Sequence, residues 1–175
     1  MKRINVIGAP GSGKSYLSEA ISAACGLPWV KLDALRHGPG WTEVPDQLFE
    51  ERVSAAVAEE RWVIDGNYVP VRPSIWRRAD TVIWTDIAKG VAMRQVFRRS
   101  FSDWIRRTET VPGNREQLGN FVKPWHPIRW TWAHHAEFRE RETTWLADPS
   151  WAHLRAVHLR SRQDIDTFVT AVRAS

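Results

Sequence analysis

Gly8-Ala9-Pro10-Gly11-Ser12-Gly13-Lys14-Ser15 fits G-x-x-x-x-G-K-[ST] at every fixed position and reads as a phosphate-binding loop. A backbone that wraps closely around a triphosphate must turn its amide N–H groups inward, and Gly8, Gly11 and Gly13 allow this because glycine reaches positive φ without steric cost. Ala9, Pro10 and Ser12 complete the wrap. The helix that follows favours an anion at its N-terminal amides, and Lys14 adds a full charge for the β- and γ-phosphates. Ser15 is placed to give its hydroxyl to Mg²⁺, and Tyr16 follows it directly.

Working outward, Lys2-Arg3-Ile4-Asn5-Val6-Ile7 is a short β-branched run suited to a buried strand entering the loop. On the other side, Leu17, Ile21, Ala24 and Cys25 recur at helical spacing and mark one face. Strand, loop and helix thus come in the order the motif needs. The motif implies bound ATP with Mg²⁺ and leaves open what the nucleotide is used for.

A chain of 175 residues suffices for one domain with a sizeable core and falls short of two ordinary ones. No apolar run approaches the roughly 20 residues that span a bilayer, so no membrane partner is expected. A strand and a loop occupy the N-terminus in place of a signal peptide, and the expected location is the cytoplasm. The lone cysteine, Cys25, cannot form an internal disulfide and reads as a small core residue. A net charge of +5 suits an anionic partner, whether ATP, a phosphorylated acceptor or nucleic acid.

Further along, Trp29-Val30-Lys31-Leu32 reads as a second strand ending at Asp33. Asp33 and Arg36 then lie past a strand's carboxyl end, where open α/β sheets bind ligands, although Asp33 would equally serve to cap the next helix. His37-Gly38-Pro39-Gly40-Trp41 is a breaker-rich loop whose Trp41 either packs over an acceptor or covers the core. A helix from Pro45-Asp46 to near Glu60 carries Phe49, Val53, Ala56 and Val57 on one face. Trp62-Val63-Ile64-Asp65-Gly66-Asn67-Tyr68 gives a third strand. Its Asp65 is either a second Mg²⁺ contact or part of an Asp-Gly hairpin turn.

Arg72, Arg77 and Arg78 follow in a proline-broken segment, and 80–86 form a fourth strand. Residues 91–107 read as a helix with Phe97, Phe101, Trp104 and Ile105 on one face. Its arginines, Arg94, Arg98 and Arg99 among them, form either a solvated face or a phosphate clamp. Periodicity disappears over 108–127, as in an active-site lid. A helix resumes over 128–146, where adjacent His134 and His135 point about 100° apart and do not make a metal site. Residues 153–159 alternate as a fifth strand, and Ser161 caps a last helix built on Ile165, Phe168, Val169 and Val172. Strands alternating with helices mean βαβ units and a parallel sheet covered on both faces.

The loop, Lys31-Leu32-Asp33, Pro39-Gly40-Trp41, Arg61-Trp62-Val63-Ile64-Asp65-Gly66-Asn67-Tyr68 and Asp80-Thr81-Val82-Ile83-Trp84 together resemble the adenylate-kinase-related P-loop proteins labelled DNA topology modulation protein, or FlaR-like. The resemblance covers nearly the whole chain and implies a three-layer α/β/α fold of the nucleoside monophosphate kinase type. It implies five parallel strands in the order 2-3-1-4-5, a lid, ATP on the loop, and Mg²⁺ near Ser15 and Asp65. It further implies that Arg94, Arg98 and Arg99 hold transferring phosphates and that Arg162, beside Ser161 and Gln163, lies near the adenine. The chain departs from adenylate kinase proper in having Asp65-Gly66-Asn67-Tyr68-Val69 where that enzyme has Asp-Gly-Phe-Pro-Arg. The nearest arginine is Arg72, so the usual acceptor-phosphate ligand is missing or displaced.

The leading expectation is phosphoryl transfer from ATP·Mg²⁺ to a small acceptor. Lys14, Arg94, Arg98 and Arg99 would act on the phosphates, and Asp33 would orient the acceptor hydroxyl. Arg36, Trp41, Asn67 and Arg72 complete the acceptor set. The alternatives are a nucleotide-dependent DNA-binding or topology-modulating protein with the arginine helix facing duplex phosphates, although no base-reading motif is present, and a P-loop NTPase without a small acceptor whose hydrolysis drives a partner.

Overall fold

The computed structural model describes residues 1–111, 114–115, 120–121, 123 and 126–174, with the backbone alone at 109–111 and 115. Five strands form the central sheet: β1 (Arg3–Gly8), β2 (Trp29–Lys31), β3 (Trp62–Asp65), β4 (Thr81–Thr85) and β5 (Arg155–Leu159). Their order across the sheet is β2-β3-β1-β4-β5, and each neighbouring pair is parallel. Helices α1 (Lys14–Cys25), α2 (Leu32–Arg36), α3 (Asp46–Ala58), α4 (Arg72–Arg78), α5 (Lys89–Arg106), α6 (Pro127–Ala147) and α7 (Arg162–Arg173) connect and cover the strands.

Alternation along the strands sends side chains to two cores. Ile4, Val6, Val63 and Ile83 join Leu17 and Ile21 of α1 and Ile165 and Val169 of α7 on one face. On the other, Ile7, Trp62, Ile64, Val82 and Trp84 meet Phe49 and Val53 of α3 and Ile75 and Trp76 of α4. Full burial of each such side chain contributes roughly 1.5–3 kcal/mol. Asn5 is a polar side chain buried inside the sheet, and its hydrogen bonds are made. Its amide donates to the carbonyls of Ile64 (3.1 Å) and Gly66 (3.2 Å), and its oxygen accepts from the Trp76 indole (2.9 Å). That pins the turn after Asp65 to β1.

Several boundaries differ from the sequence reading. β2 ends at Lys31, and Leu32, which is fully buried, opens α2, so Asp33 stands in the first turn of a short helix. No hairpin follows Asp65-Gly66, because β3 is flanked by β2 and β1 and the chain leaves for a 3-10 turn at Val69–Val71. The loop at 37–41 is a small antiparallel ribbon, His37–Gly38 with Thr42–Glu43, around a turn at Pro39–Trp41. Within 108–127, Glu109–Val111 pairs antiparallel with Asn114–Arg115, while 112–113, 116–119, 122 and 124–125 of the expected lid lie outside the described residues. Ser161 does cap α7, in a capping box with Asp164.

Helix α5 turns a different face inward from the one its large residues suggested. Phe97, Phe101 and Ile105 are 55%, 53% and 60% exposed, whereas Ala92, Val96 and Ser100 are buried. The reason lies in the loop it covers: a Cβ on Gly11 would strike the Ala92 carbonyl and the Val96 side chain. Only small side chains let a helix backbone come that near. No helix among the described residues is long and apolar enough to cross a membrane.

Candidate active site

The loop between β1 and α1 is held from beneath by a chain of hydroxyls. Ser12 Oγ lies 2.6 Å from Thr85 Oγ1, and Thr85 in turn donates to the Ile7 carbonyl over 3.2 Å, which makes Ser12 the donor. Gly8 sits against the same pair, so a Cβ there would collide with Thr85 and Ser12. Lys14 opens α1 with its ammonium 3.3 Å from the Ala9 carbonyl, inside the curve of the loop. Burial lowers its pKa, the carboxylates of Asp65 and Asp33 pull it back up, and Arg99 pushes it down again. A half-buried ammonium whose hydrogen bond among the described residues is to the Ala9 carbonyl is suited to an incoming phosphate.

Next to it, Ser15 Oγ donates to Asp65 Oδ2 over 2.6 Å. Asp65 ends β3 and is 7% exposed, and burial raises its pKa against the opposing influence of Lys14 and Ser15. Two hard oxygens brought together on a carboxylate short of solvation fit Mg²⁺.

Asp33 faces this cluster from α2. The Tyr68 hydroxyl donates to Asp33 Oδ1 over 2.7 Å. Burial first, and then the adjacent Asp33 carboxylate, raise the Tyr68 pKa, so the phenol stays a donor throughout the physiological range. Its ring packs edge-on against Phe49 at 5.2 Å. Asn67 is half-buried on the same turn. Trp41 stands opposite at φ 60°, its ring 5.7 Å from that of His37.

Solved structures share this architecture. A gluconokinase from Sinorhizobium meliloti 1021 matches over 99% of this chain and 90% of its own, with a TM-score of 0.52 and 20% identity. A shikimate kinase from Bacteroides thetaiotaomicron matches over 99% and 97%, at 0.54 and 15%. A shikimate kinase from Acinetobacter baumannii in complex with shikimate matches over 98% and 90%, at 0.55 and 12%. The fold is the one these P-loop kinases share. No protein-family model matches the chain, and neither does any curated protein, so the resemblance to the DNA topology modulation group gains no support from them.

Within this kinase fold the expected site residues divide. Lys14, Ser15, Asp33 and Asp65 come together at the carboxyl ends of β1, β2 and β3. Arg162, at the start of α7, lies over the Tyr16 ring at 4.4 Å, which sets both on the same side of the loop. Of the α5 arginines, Arg99 is the one whose charge acts on Lys14. Arg94 and Arg98 are exposed on that helix.

Two arginines expected at the acceptor are otherwise engaged. Arg36 bonds to Glu43, Asp46 and the Val44 carbonyl. Arg72 is 1% exposed and pairs with buried Glu142 of α6 at 2.7 Å, its guanidinium over the rings of Trp76 and Trp145. Its assignment as an acceptor ligand is therefore corrected: burial beneath tryptophans removes it from any ligand.

Some site residues were not foreseen. Tyr68 was legible only as part of Asp-Gly-Asn-Tyr. Asn114, from the expected lid, accepts from the Trp41 amide and donates to the Gly38 carbonyl over 2.9 Å, and nothing in its local sequence signals that. Asp86, just beyond β4, accepts from Arg139 at 3.0 Å and lies 2.9 Å from His158 Nε2. The adjacent histidines go separate ways: His135 is buried 3.1 Å from the Ile87 carbonyl, and His134 lies 3.2 Å from that of Trp130.

Proposed function

We propose that this protein is an ATP-dependent kinase that transfers the γ-phosphoryl group to a hydroxyl of a small acceptor. One observation carries the reading: Lys14, the Ser15–Asp65 pair and Asp33 form a single electrostatic cluster at the mouth of a glycine loop. Phosphoryl transfer asks a protein mainly for alignment and neutralised charge, and these residues supply both. The backbone of residues 8–15 binds the donor phosphates, and Lys14 sets its ammonium against them. Ser15 and Asp65 are the residues that would hold Mg²⁺, which when bound neutralises charge on the phosphate oxygens.

Asp33, held by Tyr68, orients the acceptor hydroxyl and takes its proton as the new O–P bond forms and the bond to the ADP leaving group breaks. Arg99 adds a second positive charge near Lys14. Tyr16 and Arg162 flank the nucleotide at the start of α7. Asn114, bonded across to Gly38 and Trp41, helps exclude water on the acceptor side.

The test is Lys14→Ala. Acceptor-dependent ADP release should fall about a hundred- to a thousandfold, the scale on which a lost transition-state charge contact acts, with the circular dichroism spectrum unchanged. Retained turnover in that variant refutes the reading.

The exposed arginines of α5, at 94, 98 and 106, support a second reading, in which this helix binds nucleic acid. A gel-shift titration at two salt concentrations, with and without ATP, separates the two, because binding through phosphates weakens steeply with salt.

A further inference from the structure

We infer that the acceptor carries hydroxyl groups and no anionic group. This rests on the kinase reading and narrows it. A carboxylate or phosphate on a substrate is held best by the planar fork of an arginine, and the sequence offers two near the acceptor, Arg36 and Arg72. Neither is available. Arg72 is buried against Glu142, away from the acceptor side. Arg36 has Asp46 on Nη1 at 2.6 Å, Glu43 on Nη2, and the Phe49 ring 5.3 Å beneath its plane.

The surrounding charge points the same way. Glu43 and Asp46 are two carboxylates on one guanidinium, and Asp33 adds a third negative charge beside Tyr68. The charges that act on the Tyr68 hydroxyl are likewise Asp33 and Glu43 against Arg36 alone. An anionic substrate would have to displace Glu43 or Asp46 from Arg36 and then sit beside Asp33. Neighbouring cations among the described residues are occupied too. Lys31 lies over the Trp29 ring at 4.0 Å, and Arg52 donates to the Leu35 carbonyl at 3.0 Å. Lys14 and Arg99 belong to the donor phosphates. Among the described residues, the Asp33 carboxylate, the Tyr68 hydroxyl, the Asn67 amide and the His37 ring face an acceptor. Such groups suit hydroxyls and the apolar face of a polyol.

The experiment has two arms, run after a calorimetric titration with Mg²⁺ and a non-hydrolysable ATP analogue. No heat in that titration would sink the kinase reading itself. In the first arm, ADP release is followed with matched acceptors: glucose and glucosamine against gluconate and glucose 6-phosphate, and ribose against ribose 5-phosphate. At least a tenfold preference for the members without an anionic group is expected. Preference for a carboxylated or phosphorylated member overturns the inference while leaving the kinase reading intact.

The second arm does not depend on finding the substrate. Gluconate and ribose 5-phosphate are titrated onto the analogue-saturated wild type and onto the Glu43→Gln/Asp46→Asn double variant. Freed Arg36 should bind these anions at least tenfold more tightly than the wild type does. Equal binding by the two proteins, or none by either, overturns the inference even if no member of the panel raises ADP release.

Discussion

Ser15 Oγ donates to Asp65 Oδ2 over 2.6 Å, tying the first turn of α1 to the last residue of β3. Two elements fifty residues apart in sequence thus present adjacent oxygens beside the Lys14 ammonium. Asp65→Asn keeps the shape and removes the charge. The Mg²⁺ concentration needed for half-maximal ADP release should rise by about 10- to 100-fold, the scale on which a metal site loses affinity when a supporting group is lost. An unaltered Mg²⁺ response would show that Asp65 does not serve the metal.

Tyr68→Phe removes the one hydroxyl on Asp33 and keeps the ring against Phe49. A hydrogen bond to a charged group contributes about 1.5–3 kcal/mol. The kcat/KM for the acceptor should therefore fall by roughly tenfold or more, while the affinity for the ATP analogue stays as in the wild type. Steady-state kinetics alongside calorimetry checks both.

The buried Arg72–Glu142 pair joins α4 to α6 beneath Trp76 and Trp145. Glu142→Gln leaves a buried guanidinium without its counter-charge, and about 3–5 kcal/mol of stability should be lost in urea titrations. If Arg72 held substrate instead, the cost would appear in KM and stability would hardly change.

Asp80 anchors the start of β1: its Oδ2 accepts from the amides of Lys2 and Arg3, both at 2.8 Å, and its Oδ1 from the Thr81 hydroxyl at 2.7 Å. Burial alone would raise its pKa, but the Thr81 hydroxyl and the two amides outweigh burial and hold it below the usual 3.8. A depressed folded-state pKa means that the stabilisation is present above the unfolded value and is lost as pH falls through the folded one. Asp80→Asn should thus unfold at lower temperature near neutral pH. The difference should shrink once the pH drops below about 3.8, the ordinary carboxyl value. A thermal melting series from neutral to acid pH tests this.

The glycine loop was legible because its determinants are local. Residues 8–15 carry their own conformational instructions, and the β-branched run before them and the helical face after them are read over a few residues each. Asp33 and Asp65 were legible because they follow apolar runs that had to be strands or their ends. Arg72 was misplaced for the opposite reason. Its nearness to Asp65 in sequence suggested shared work, while its partner Glu142 lies seventy residues away, and burial is a property of the folded pair. Which face of α5 turns inward was not legible, because periodicity marks its large residues, and Phe97, Phe101 and Ile105 are exposed. Its inner face was instead chosen by what can approach Gly11, which requires Ala92 and Val96.

By itself the sequence determined the glycine loop, the alternation of strands and helices, and the acidic residues at the strand ends, since each follows from backbone sterics or short-range periodicity. Only the tertiary structure decided which charges are available to a ligand. Arg36 and Arg72 are engaged by carboxylates, and Asn114 is bonded to Gly38 and Trp41. Electrostatic pairing and burial act through space between distant segments, and no local pattern records them.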